Sequence, residues 1–126
     1  MKIEKFEDLI AWQEARKLAQ IVNSFLKESM KDERDISRQL RRASDSVMSN
    51  IAEGFNRFTL KDSKNFFIMA RSSLSEIKSH LYFVYDEGRI LEEKFSEILA
   101  QCDRTGKLIT GLIKNSIAQE LKNKTQ

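Results

Sequence analysis

The sequence has no proline, four glycines, one cysteine and one histidine in 126 residues. Without proline, nothing in the chain forces a helix interior to break, and so few glycines leave little material for loops and tight turns. A lone cysteine, Cys102, excludes an intrachain disulfide and fits a reducing compartment. With His80 as the other soft ligand, an ordinary all-protein zinc site is excluded. The same scarcity removes Ser-His-Asp and Cys-His catalysis unless Cys102 and His80 meet. No apolar run approaches the ~20 residues that span a bilayer; Phe66-Phe67-Ile68-Met69-Ala70 is among the longest. The first residues, Met1-Lys2-Ile3-Glu4-Lys5-Phe6-Glu7-Asp8, mix both charges and lack the apolar stretch of a secretory signal, so a cytoplasmic protein is expected. No P-loop, GxGxxG, HExxH or paired-carboxylate motif occurs. The expectation is therefore a protein that is not an enzyme and has no metal or cofactor.

What is present is a helical pattern. The chain is 40% hydrophobic and 33% charged, at 14.7 kDa, which suits one domain over 1–126. Apolar residues recur at helical spacing throughout. Helix 1 is expected over Glu7–Ser29, with Leu9, Trp12, Ala15, Leu18, Ala19, Val22, Phe25 and Leu26 inward. After the link Met30–Glu33, helix 2 is expected over Glu33–Glu53 on the row Ile36, Leu40, Ala43, Val47, Ile51, with Gly54 at its C-cap. Helix 3, capped by Thr59 or Asp62, carries Phe66, Ala70, Leu74, Ile77, Leu81 and Val84 and ends at Asp86-Glu87-Gly88. Helix 4 is expected from near Ile90, with Leu91, Phe95, Ile98, Cys102, Thr105, Ile109 and Leu112 at alternating steps of four and three. The core then covers about 6–117, and 118–126 form a frayed tail. Short links make successive helices antiparallel, so the fold class is all-α, an up-down four-helix bundle.

Net charge is only +3, but its distribution is uneven. Residues 34–64 carry seven bases and four acids, whereas 1–33 carry six and seven. Four of those seven bases are arginines between 34 and 42. At about 100° per residue, Arg34, Arg38, Arg41 and Arg42 fall between about 140° and 240° from Ile36, opposite the apolar row. Arginine's planar donor fork suits phosphate, and such a stripe is the footprint of backbone binding. Arg57, Lys61 and Lys64 extend the candidate nucleic-acid-binding set. The competing reading is a solvated or subunit-facing polar face, since the stripe lacks interleaved aromatics for stacking bases.

The run Gln39-Leu40-Arg41-Arg42-Ala43-Ser44-Asp45-Ser46-Val47-Met48-Ser49-Asn50-Ile51-Ala52-Glu53-Gly54-Phe55-Asn56-Arg57 resembles the signature of the bacterial four-helix-bundle family, also called the 23S rRNA intervening-sequence protein family. Phe6–Ala15 is similar to that family's opening, and Ala70-Arg71-Ser72-Ser73-Leu74-Ser75-Glu76-Ile77 to its third-helix motif, so the resemblance covers roughly 6–117. Met48 stands where the family commonly has proline, Ser72 where it often has glycine, and Asp45 where a small or apolar residue is usual. The first link also lacks the family's aromatic-proline pair. The resemblance implies a homo-oligomer, a pentamer in the related accessory proteins of diversity-generating retroelements, which bind a reverse transcriptase and nucleic acid. It implies an RNA- or DNA-associated role and supplies no reaction.

Other residues have a structural reading beside a functional one. Asn50 and Glu53, with Ser46, flank the buried row of helix 2 at about 260° to 320°. Glu53 is expected to pair with Arg71 across the hairpin. A lone glutamate without a second carboxylate makes poor acid–base chemistry, so a structural or interface role is favoured. Met69, Ser73, Glu76, His80 and Phe83 form a second, semi-apolar row on helix 3, and Ile10 and Ile21 lie off the main stripe of helix 1. Extra apolar faces mark association, which makes Glu76 and His80 candidate interface groups. Cys102 is expected buried and inert. Gly106 and Gly111 weaken helix 4 or admit close approach. Two functions remain: a non-enzymatic nucleic-acid or ribonucleoprotein accessory factor, or a protein–protein adaptor with no nucleic-acid contact.

Overall fold

The computed structural model describes residues 2–124, and among these every regular element is helical. After a 3-10 turn at Phe6–Asp8, α1 spans Ile10–Ser29, α2 Arg34–Phe55, α3 Leu60–Asp86 and α4 Glu92–Lys124. The links 30–33, 56–59 and 87–91 are too short for anything but antiparallel neighbours. Each of α1 and α3 packs on both α2 and α4, giving the four-helix bundle, and the α2–α3 pair is the most intimate. Leu18, Leu26, Leu40, Ile51, Ile77, Leu81, Ile98 and Ile109 are fully buried between them. Removing such side chains from water stabilises the fold by about 1.5–3 kcal/mol apiece before entropy is counted.

Several boundaries differ from the periodicity. The first helix does not run from Glu7. Leu9 is extended (φ −72°, ψ 126°), and the turn before it places the Phe6 ring edge-on to Trp12, with centroids 5.1 Å apart. Gly54 is not a cap: it lies inside α2, is buried, and a Cβ there would meet Cε1 of Phe67 at 2.5 Å. In α3 it is Phe67, not Phe66, that fills the core. Counting back from Val84, Leu81, Ile77, Leu74 and Ala70 by alternating steps of three and four lands on 67. Phe66 stays half-buried beneath the Arg57 guanidinium, 4.4 Å from the ring centroid. In α4 the step from Ile109 is four residues, so Ile113 replaces Leu112 in the core, while Leu91 precedes the helix and is 81% exposed.

The caps follow local chemistry. Thr59 is the N-cap of α3, its Oγ1 accepting from the Asp62 N–H at 3.1 Å. Past α3, Gly88 adopts φ 71°. Its N–H donates to Tyr85 O (2.9 Å) and the Arg89 N–H to Val84 O (3.1 Å), the Schellman pair. That turn aims the Arg89 side chain across the end of the bundle, where it donates to Asp32 (2.6 Å) and Glu33 (3.1 Å) and so ties the α3–α4 link to the α1–α2 link. At the other end α4 stays helical to Lys124, past the point where its apolar repeat fades. Glu120 pairs with Lys64 of α3 at 3.2 Å. Residues 125 and 126 of the expected tail lie outside the described residues.

Candidate nucleic-acid interface

Where α1 and α2 diverge from their link, an open groove of about 840 Å³ is lined by Lys27, Lys31, Arg34, Arg38, Arg41, Arg42 and Asp45, over a floor of Leu26, Met30 and Ser37. Its lining thus holds six bases and one acid. Ser37 fixes the mouth by donating to Met30 O at 3.1 Å, tying the first turn of α2 to the link before it. The four arginines are exposed, as their position opposite the apolar row requires. Among the described residues only Arg38 has an ion-pair partner, Asp35 at 3.1 Å, and both are well solvated. An exposed pair of this kind holds its arginine by well under about 1 kcal/mol, so a phosphate displaces the carboxylate at little cost.

Lys27 and Lys31 were not singled out by the charge count along the chain. They stand four residues apart, Lys27 on the last turn of α1 and Lys31 in the link after it, and the antiparallel turn lays them beside the arginine stripe. The short link and that spacing were the available signal. Arg57, Lys61 and Lys64 do not join this set. Arg57 lies fifteen residues beyond Arg42, about 22 Å along the helix axis. It donates to Glu53 at 2.8 Å and covers Phe66. Lys64 is paired with Glu120, and Lys61 is exposed on the first turn of α3.

The expected Glu53–Arg71 pair does not form. Glu53 is taken by Arg57 one turn along, which needs no crossing of the hairpin. Among the described residues Arg71 has no ion pair. Asn50 donates through Nδ2 to Ser46 O and Oγ, both at 2.9 Å, and Ser46 Oγ meets Ser73 Oγ of α3 at 2.7 Å. This half-buried ladder, together with Gly54 against Phe67, sets how α2 lies on α3. Met69, Glu76 and Phe83 are exposed on the outer row of α3, and His80 is half-buried there. Cys102 is buried, and that burial pushes its thiol up to about 12.

A buried carboxylate escaped the sequence reading altogether. Glu14 of α1 is only 7% exposed and accepts from Gln101 Nε2 (3.2 Å) and Arg104 Nε (2.6 Å) of α4. The Gln101 hydrogen bond, and after it Arg104 and Lys17, hold its carboxyl below the ordinary glutamate range against the opposing effect of burial. Among the described residues no cluster of histidine, cysteine, aspartate or glutamate could hold a metal, and no helix is long and apolar enough to cross a membrane.

A family model described as the 23S rRNA-intervening sequence protein matches residues 7–111. The chain belongs to that family. The intervening-sequence family match takes in all of α1, α2 and α3 and the first part of α4, including both the basic groove and the Ser46–Asn50–Ser73 ladder. A crystal structure of a protein of unknown function from the S23 ribosomal protein family of Bacteroides thetaiotaomicron VPI-5482 is similar at a TM-score of 0.76 and 25% identity, covering 83% of this chain and 99% of that one. No curated protein matches the chain.

Proposed function

We propose that this member of the 23S rRNA-intervening sequence family is a non-enzymatic, cytoplasmic, oligomeric accessory factor that holds a nucleic-acid backbone in the α1–α2 groove. The observation that carries the reading is the concentration of six cations against one acid in a single open groove. Arg34, Arg38 and Arg42 recur at about one turn, ~5.4 Å, with Arg41 on the same face of α2, and Lys27 and Lys31 approach from the α1 side, so long flexible cations reach a phosphate strand from two sides. RNA is the first ligand to test, because the family carries an rRNA intervening sequence in its name.

The test is fluorescence anisotropy of nuclease-treated protein with structured RNA, single-stranded DNA and duplex DNA over a salt series. Binding with a steep log–log salt slope is expected, and the Arg34→Ala/Arg41→Ala/Arg42→Ala variant should lower the slope by about two to three. Unchanged affinity in the folded triple variant removes this surface, and absence of binding to every nucleic acid moves the function to a protein adaptor. The oligomer is checked by light scattering on a sizing column. A multiple of 14.7 kDa is expected, five-fold for the pentamer that the resemblance implies, and a monomer at micromolar concentration defeats the assembly.

A further inference from the structure

On the opposite side of the bundle a second groove of about 580 Å³ runs between α3 and α4. Its rims carry Arg71 and Lys78 from α3 and Lys107 and Lys114 from α4, against a single acid, Asp103. Lys78 neutralises Asp103 at 2.9 Å, and among the described residues Arg71, Lys107 and Lys114 have no ion-pair partner. Leu74, Ser75, Cys102, Gly106, Thr110 and Gly111 make its floor, which is uncharged like that of the α1–α2 groove.

The two glycines have different reasons. A Cβ on Gly106 would press Leu74 Cδ2 at 3.2 Å, so that glycine serves the contact of α4 with α3. Gly111 has nothing within 4 Å of where its Cβ would stand. It weakens α4 by about 1 kcal/mol relative to alanine, and no packing within this chain uses the space. One turn further along the same faces, Ile68 precedes Arg71 by three residues and Ile117 follows Lys114 by three; they are 37% and 41% exposed.

From this charge pattern we infer that the α3–α4 groove docks an acidic amphipathic helix of a partner protein. The stretch from Asp103 to Ile117 is about 21 Å long, four turns of a docked helix. Gly111 lets that helix approach closely. Ile68 and Ile117 meet its apolar stripe, and Arg71, Lys107 and Lys114 meet glutamates flanking the stripe. A nucleic acid would leave the two isoleucines against phosphate. The inference does not depend on the α1–α2 groove, which shares none of these residues.

The probe is a labelled helical peptide of about 18 residues with a leucine stripe flanked by glutamates, and a control with lysines in their place. Titrated into the full chain, the acidic peptide should bind and the lysine peptide should not. Lys107→Glu/Lys114→Glu should weaken binding at least about tenfold. Gly111→Leu, which enters open space and keeps the helical circular dichroism and melting temperature, should weaken it similarly. Failure of the acidic peptide to bind, or equal binding by the folded variants, overturns the inference. So does loss of RNA binding in these two variants with peptide affinity unchanged, which would give the groove to nucleic acid.

Discussion

The ring of Phe67 occupies the space that a Cβ on Gly54 would need, its Cε1 only 2.5 Å from that position. Both residues are buried, so the ring has no free direction in which to retreat. Gly54→Ala should therefore destabilise the protein by about 1–3 kcal/mol, although alanine is the better helix former. Urea melts check this, and adding Phe67→Leu in the Gly54→Ala background should recover part of the loss. A stabilised single variant would show that α2 and α3 can separate there.

Glu14 links α1 to α4 through Gln101 and Arg104. Glu14→Ala leaves those donors without their acceptor and should cost about 1 kcal/mol at neutral pH, since Arg104 is well solvated. The pH dependence has a definite sign. Because the folded carboxyl titrates below its ordinary value of 4.5, its contribution is complete above that value and is lost as pH falls through the folded one. Between about pH 5 and pH 3 the melting temperature of the parent protein should fall more than that of Glu14→Gln.

Arg57 and Lys64 serve as internal controls for the basic groove. Each is already paired, with Glu53 and Glu120, and neither lines the space between α1 and α2. Arg57→Ala/Lys64→Ala should leave RNA affinity and its salt slope unaltered, whereas Lys27→Ala/Lys31→Ala should weaken binding at every sequence tested. If both double variants lose binding equally, attraction is spread over the surface and the groove is not a site.

Cys102 should not react in the native state. Its thiol is fully buried and pushed up to about 12, so almost no thiolate exists at neutral pH. Labelling with a thiol-specific chromophore should proceed only at the unfolding rate and reach completion at once in denaturant. Fast native labelling would mean that α3 and α4 open locally.

The helix number, the antiparallel order and most of the core were legible because each rests on spacing within one helix. Leu40, Ala43, Val47 and Ile51, for example, recur every three or four residues and are all buried. The arginine face was legible for the same reason. Phe67 was harder, since two adjacent phenylalanines satisfy nearly the same period, and only the strict alternation of steps of three and four back from Val84 favours 67 over 66. Glu14 was invisible: its acceptor role depends on Gln101 and Arg104, 87 and 90 residues away. The misplaced Glu53–Arg71 pair shows the converse, a nearer partner on the same helix outcompeting one across the hairpin.

The intimacy of α2 with α3 has a consequence for synthesis. The best-matched pair lies in the middle of the sequence, so α1 leaves the ribosome before any surface that can cover it. Its stripe of Leu18, Val22, Phe25 and Leu26 stays open to water until α2 has followed. It is not enclosed on both sides until α4, which ends about seventy residues after α2, has emerged. In a growing chain the first helix is thus the one whose apolar stripe waits longest for its full cover, because its second neighbour is the last helix of the four.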